Sequence, residues 1–302
     1  MNRRIVSDSS SNVLELEGVD FRSVPLKILI EGKEYVDNKD LDVPEMVAEL
    51  IATKKPNSSS CPNPFDYEEA YEGADEVFVV TITSGLSGSW NSAETAAKYY
   101  MEKNEGKKVC VIDSLSAGPE LQLIIEKLAE LFKEDLTFEE IVEQIHEYQK
   151  HSHLVFTLES LANLAKNGRV NPAVAKIAGL LGIRFIGIAS EEGKLQQISN
   201  VKGMKRAVAG TLDAMKKYGF NGRKVRIAHC LNPEAAYRLK DLIAAEFPFA
   251  DVIVEATTGL CSYYAEKGGL MIGFEDGQAA DLNSYIFLQS EFILFLSNVL
   301  VF

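Results

Sequence analysis

Positive charge is scarce in this chain: 31 Lys and Arg stand against 44 Asp and Glu, a formal net charge of −13 over 302 residues. A nucleic-acid binder needs a basic face to neutralise phosphates, so that class is excluded as a general function, although a local cationic site is not. Cysteine is equally sparse. Cys61, Cys110, Cys230 and Cys261 lie far apart with no C-x-x-C pair, which argues against a disulfide framework or a zinc site and suits a reduced cytoplasm. Histidine is limited to His146, His151, His153 and His229. His151 and His153 have no carboxylate or thiol at metal-ligand spacing, so no metal site is expected. Neither a P-loop nor G-x-G-x-x-G occurs, and Gly85-Leu86-Ser87-Gly88-Ser89 exchanges the last two positions of the nucleophile elbow. The first residues turn polar directly after Ile5 and Val6, too soon for a signal-peptide core, and export is not expected. No clean membrane span is present either: Tyr285–Phe302 is mostly apolar, but Gln289, Ser290, Glu291, Ser297 and Asn298 interrupt it, whereas a span needs ~20 predominantly apolar residues.

What is present is a soluble globular composition, 46% hydrophobic and 25% charged, long enough at ~150 residues per domain for two domains. Short β-rich apolar runs alternate with stretches of helical period, which predicts an α/β fold. Strands are expected at Arg4–Val6, Val24–Ile30, Val77–Ile82, Val109–Ile112, Leu154–Phe156, Ile183–Ile188, Val225–Ala228 and Val252–Val254. Helices are expected at Val43–Ala52 with Asp42 as N-cap, Ala93–Lys103, Leu121–Phe132, Phe138–Lys150, Lys205–Lys217 and Pro233–Ala245. Element count divides the chain near residue 152, giving domains at 1–152 and 153–275 and an apolar tail at 276–302.

Hydroxyl-rich clusters follow several of these strands: Ser7–Asn12, Ser58–Pro64, Thr81–Asn91 and Asp113–Gly118. Ligands of open α/β sheets bind beyond the carboxyl ends of strands, so the placement favours a shared binding crevice. In the third cluster, Gly85 and Gly88 let the backbone approach a ligand closely, while hydroxyls and helix-start N–H groups point at an anion. Such a site suits a carboxylate or a phosphate without a formal cation. Asp8 and Asp113 end strands and carry two readings, caps of the following turns or ligands of Mg²⁺. No complete catalytic constellation is visible.

Six segments stand in order over about residues 3–275: Ile5-Val6-Ser7-Asp8-Ser9-Ser10, Val24–Ile28 with Gly32–Asp37, Ser59-Ser60-Cys61-Pro62, Thr83–Ala93, Leu158–Leu161 with Asn167–Val170, and Gly268–Phe274. In this ordered set the chain resembles the DegV family of bacterial fatty-acid-binding proteins. The corresponding family motifs are I-V-T-D-S-T/S, P-L-x-V…G-x-x-Y-x-D, T-S-Q-P, S-S-x-L-S-G-T-Y-x-S-A, L-x-x-L…G-G-R-I and a closing glycine-rich region.

The resemblance implies two α/β domains with one fatty acid in the crevice between them, its acyl chain in a buried apolar tunnel. By motif position, Ser59, Ser60, Ser87 and Gly88 would meet the carboxylate, with Ser84, Tyr264 and Arg169 as secondary candidates. It also implies a non-enzymatic carrier with no cofactor, one that presents its long-chain fatty acid to a separate ATP-dependent fatty acid kinase and makes transient contact with membranes. By charge alone, Arg169 with Lys202, Lys205 and Arg206 would dock an acidic partner or phosphates, or simply be a solvated face. The competing reading is a Mg²⁺-dependent phosphoryl- or acyl-transfer enzyme built on Asp8, Asp113 and the loop serines. Two departures stand out: Cys61 replaces Gln, and Ala265 stands near the position of a His that family members often place by the carboxylate. A neighbouring Tyr is the substitute at hand.

Overall fold

A computed structural model of the chain describes residues 2–173 and 182–279. From residue 280 onward, the apolar tail expected from sequence lies outside the described residues.

Four parallel strands, β1 (Arg3–Asp8), β2 (Phe21–Val24), β6 (Glu76–Thr81) and β7 (Lys108–Asp113), form a sheet in the order β2-β1-β6-β7. Every residue of β6 is buried, as a parallel strand covered on both faces requires. Helices α2 (Pro64–Tyr71) and α3 (Ser89–Lys103) cover one face, where Tyr67, Tyr71 and Tyr100 pack on Val77 and Val79. Helices α4 (Pro119–Leu131) and α5 (Phe138–Tyr148) cover the other, around Phe78 and Ile112.

The stretch Val24–Ile30, expected as one strand, is two. Pro25 has no N–H to continue a ladder, Leu26 N instead donates to Ser9 Oγ at 3.0 Å, and β3 (Lys27–Ile30) then starts a separate antiparallel sheet with β4 (Lys33–Val36) and β5 (Asn57–Ser60). Strand β5 corrects a second expectation, because its serines belong to an edge strand rather than to a loop. Its partner β3 supplies the ladder, with Ile28 opposite Ser59, and this overrides the weak strand preference of Asn and Ser. Helix α1 (Val43–Ala52) starts as expected, with the Asp42 carboxylate accepting from Glu45 N at 2.9 Å.

The third sheet has six strands, β8 (Ser152–Leu158), β9 (Ile183–Ala189), β10 (Leu195–Lys202), β11 (Phe220–His229), β12 (Val252–Ala256) and β13 (Leu270–Asp276), in the order β10-β9-β8-β13-β11-β12. Side chains alternate along β8. Val155 faces helix α7 (Met204–Lys217) and, beyond it, α8 (Pro233–Glu246). Leu154, Phe156 and Leu158 face the opposite way, toward Ile28, Met46 and Leu50 of the three-stranded sheet and α1. The short helices α6 (Ala162–Lys166) and α9 (Gly259–Ala265) border that second face.

Candidate functional site

Between the three-stranded sheet and the Leu154–Leu158 face lies a cavity of about 250 Å³. Its walls are largely aliphatic, with Leu26, Leu154, Leu158, Leu164, Leu195 and Leu260 contributing. Ser59, Ser60, Cys61, Ser87, Gly88 and Tyr264 also border it, and among its described lining residues Arg169 is the only charged one. The fold therefore brings Ser59, Ser60, Ser87 and Gly88 to one cavity, although Ser59 and Ser87 are distant in sequence. Ser84 is not brought there: it is exposed, and its backbone N–H donates to Asp113 Oδ1 at 3.1 Å.

Each polar group has a position fixed by local structure. On β5, Asn57 and Ser59 are half-buried while Ser58 and Ser60 are exposed, the alternation of a strand. Ser59 Oγ lies 2.7 Å from the Tyr264 hydroxyl. Two hydroxyls joined by one hydrogen bond use one of their two protons, which leaves one O–H free to donate to an anion. The Tyr264 ring carries the Arg169 guanidinium over its face, 5.8 Å from the centroid, and Arg169 donates to Leu86 O at 3.2 Å and to Asn167 O at 2.5 Å. Both acceptors are neutral carbonyls. Ser87 Oγ accepts from Ser89 N at 3.3 Å and lies 3.1 Å from Ser89 Oγ. Gly88 immediately precedes α3 and has no side chain to cap it, so the one side-chain bond to the first N–H comes from Ser87. A β-carbon on Gly88 would stand 3.1 Å from Cys61 Sγ, so the glycine permits the close approach of the two loops.

Beneath the loops sits a buried polar layer that spacing did not reveal. Asp8 Oδ2 accepts from Ile82 N at 3.0 Å, and Asp8 Oδ1 accepts from the Ser10 hydroxyl and, at 3.2 Å, from Ser10 N. Burial raises the Asp8 pKa to about 6 against these bonds, among which Ser10 counts most and Ser89 contributes too. Asp37 spans a much longer sequence separation, accepting from Gly259 N at 2.6 Å and Leu260 N at 2.9 Å at the start of α9. Burial likewise raises it to about 6. The far end of α9 is tied by Tyr263, whose hydroxyl donates to Asn57 Oδ1 at 2.5 Å and accepts from Asn167 at 2.8 Å. Burial pushes this phenol up to about 12. Helix α9 thus presents Tyr264 to the cavity from a clamped position, and nothing in the sequence pattern marks Asp37, Asn57, Tyr263 or Asn167 as its clamps.

The two acids of the competing reading act as caps. Asp113 Oδ1 accepts from Ser84 N and from Leu115 N, each at 3.1 Å, and Asp8 is engaged as above. Among the described residues, no three His, Cys, Asp or Glu side chains gather as a metal-ligand set. The first serine cluster is internal rather than ligand-facing: Ser9, Ser10 and Ser11 are fully buried. His151 and His153 do find a carboxylate, which their spacing could not foretell, because β13 brings Asp276 Oδ2 to within 3.3 Å of His151 Nδ1 and 3.1 Å of His153 Nε2. His229 ends β11 as expected, and burial lowers its pKa.

Comparison with known proteins matches residues 3–276 to a family model described as an uncharacterised protein of the DegV family. A DegV domain-containing protein of Streptococcus pneumoniae (strain ATCC BAA-255 / R6) is 41% identical over 279 residues, 91% of this chain and 99% of that protein. The crystal structure of the Streptococcus pneumoniae Fatty Acid Kinase (Fak) B3 protein loaded with linoleic acid superposes with a TM-score of 0.89 at 41% identity, covering 91% of this chain and 99% of the other. A DegV family protein from Eubacterium eligens loaded with heptadecanoic acid gives a TM-score of 0.89 at 40% identity, with the same coverage of 91% and 99%.

Proposed function

The chain belongs to the DegV family, and from that premise we propose that it holds one long-chain fatty acid, the carboxylate at Ser59, Ser60, Ser87 and Gly88 and the acyl chain along the Leu154–Leu158 face. The observation that carries this reading is the cavity of about 250 Å³ whose walls are aliphatic and whose hydroxyls gather at the serine strand and loop. Fatty acids are what the similar proteins from Streptococcus pneumoniae and Eubacterium eligens are loaded with. Each buried methylene contributes about 0.8 kcal/mol, so the chain supplies most of the affinity. Each hydroxyl bond to the carboxylate contributes about 1.5–3 kcal/mol and fixes the orientation. Tyr264 stands in for the absent family His as the partner of Ser59, and Arg169, paired with neutral carbonyls, lends the headgroup region a positive potential.

In this reading the chain is a carrier rather than a catalyst. Asp8 and Asp113 are engaged as caps, which favours this over the Mg²⁺-dependent enzyme. The carrier presents its carboxylate to a separate ATP-dependent kinase, as the name of the Fak B3 relative suggests. Exposed Lys202, Lys205 and Arg206 offer that partner cations. Residues 1–152 form the carboxylate-binding half and 153–275 complete the tunnel, a division supported by the separation of the four-stranded and six-stranded sheets at that point. The cysteines are all free, consistent with a cytoplasmic carrier that loads by transient contact with a membrane. Among the described residues, no helix is long and apolar enough to cross one.

Native mass spectrometry of the gently purified chain tests the ligand class. A co-purifying mass of a long-chain fatty acid is expected, and a clean apo mass with no uptake of added palmitate would overturn the reading. Ser87→Ala removes one donor from the carboxylate and is expected to weaken palmitate binding about 10- to 100-fold with little change in melting temperature. Titration of the variant that returns the wild-type affinity takes Ser87 out of the site.

A further inference from the structure

A second cavity, of about 560 Å³, lies beside the first, and the two share Leu86, Phe156, Arg169 and Leu195 as a common wall. Phe156 is the largest apolar side chain in that wall, and its place is set by a row that runs across the six-stranded sheet. Gly187 on β9, Phe156 on β8, Met271 on β13 and Ala228 on β11 are register partners in sequence. They form a small-large-large-small row on the face that lines the cavity. A β-carbon on Gly187 would lie 2.3 Å from Phe156 Cζ and 2.5 Å from Cε2, so the ring occupies the space a side chain would need. The φ angle of Gly187 is outside the left-handed region. Its own φ therefore does not call for glycine at this strand position; the Phe156 ring and the Gln196 carbonyl of the neighbouring strand do. Met271 is seated in the same way, its Cε 2.7 Å from where a β-carbon of Gly118 would be. The tunnel wall is thus made of two large side chains, each sunk into a glycine notch. Methionine adapts its shape, whereas phenylalanine moves as a rigid plate.

We propose that Phe156, held back in the Gly187 notch, is a specificity-determining residue that sets the cross-section of the acyl tunnel and selects unbranched chains over branched ones. This rests on the fatty-acid reading above. With the ring in the notch, Phe156 stands at the border of the first cavity with the second. A chain bearing methyl branches needs more room than an unbranched one, and the larger space lies beside the ring. Shortening the side chain joins the two spaces, and filling the notch drives the ring toward the ligand.

The test is the ratio of dissociation constants for phytanic acid, which carries methyl branches along its chain, and palmitic acid, which has the same main-chain length and none. Wild type is expected to favour palmitate, and in Phe156→Leu the ratio is expected to fall by about tenfold through a gain for the branched acid. Gly187→Ala is expected to weaken palmitate binding. Because its β-carbon would also meet Gln196 O at 2.7 Å, a misfolded Gly187→Ala leaves the decision to Phe156→Leu. Equal affinities of wild type for the two acids, or an unchanged ratio in a Phe156→Leu protein that still binds palmitate, overturns the role of Phe156. Wild type that binds neither acid overturns the fatty-acid reading itself.

Discussion

Arg226→Met is expected to destabilise the fold by about 3–5 kcal/mol, the range for breaking a buried ion pair by removing one partner. Arg226 is 4% exposed. It donates to both oxygens of Glu126 at 2.7 Å, to Asp251 Oδ2 at 2.9 Å and to two backbone carbonyls. Burial alone would depress its pKa, yet the bonds to Glu126 and Asp251 outweigh burial and hold it above its ordinary value. Glu126 belongs to α4 and Arg226 to β11, so the fork fastens the helix that covers the four-stranded sheet to the six-stranded one. Removing Arg226 strands the Glu126 carboxylate, whose side chain is 20% exposed, while Asp251 at 55% remains hydrated. The double variant Arg226→Met/Glu126→Leu replaces both charges with apolar groups and is expected to recover most of the loss. Urea denaturation of the two single variants and the double variant checks this. An Arg226→Met loss below ~1 kcal/mol would place the fork with exposed pairs such as Lys39–Glu15. The seam also bears on the ligand cavity, because Ala117 of the cavity wall leads directly into α4.

Elements with strong local signals were legible in the sequence. The helix at Val43–Ala52 combines an acidic N-cap, a proline in its first turn and an apolar stripe, and it forms over those residues. The run Val77–Val80 is apolar without alternation and becomes the buried parallel strand β6. Elements that owe their form to distant partners were not legible. Strand β5 has a loop's composition and exists because β3 offers it a ladder. The short helix α9 is fixed at its start by Asp37, 222 residues away from Gly259. The family resemblance named Ser59, Ser60, Ser87 and Gly88, and all four border one cavity. Ser84 belongs to the same loop but is tied by its backbone to Asp113. Loop membership is visible in a sequence, but the direction a side chain takes from the loop is not. The notch at Gly187 was equally invisible, since it depends on which residue of β8 lies opposite.

Between pH 5.5 and pH 8 the protein is expected to lose stability as pH rises, and three buried acids set the sign. Burial raises Asp8 and Asp37 from 3.8 to about 6, and it raises Glu120 from 4.5 to about 7 against the Ser116 and Ser152 hydroxyls. The folded state therefore holds protons that the unfolded chain releases. The stability each acid contributes is fully present below its unfolded pKa and is lost as pH climbs through the folded one. A shift of about two pKa units corresponds to about 3 kcal/mol per group over the whole span. The two aspartates have lost most of theirs by pH 5.5, so Glu120 carries the larger part of the loss inside the window. Acids shifted the other way do not cancel this trend. Asp20 is lowered chiefly by its Arg4 hydrogen bond, and Asp276 is lowered because its hydrogen bonds, led by His153, outweigh burial. Both contribute stability that is present above their unfolded pKa of 3.8 and lost only as pH falls lower still, outside the window. His229, lowered by burial, works in the opposite sense through its unfolded pKa of 6.5, but as a single group against three. Thermal melts at the two pH values are expected to give the lower melting temperature at pH 8. Glu120→Gln imitates the protonated acid, keeping an acceptor for the Ser152 hydroxyl that now lies 3.0 Å from Glu120 Oε1. It is expected to exceed wild type at both pH values, and by more at pH 8, because Glu120 has lost only the smaller part of its contribution by pH 5.5. A wild-type melting temperature that stays level or climbs across the window would mean that these carboxyls reach water or an unseen cation in the folded protein.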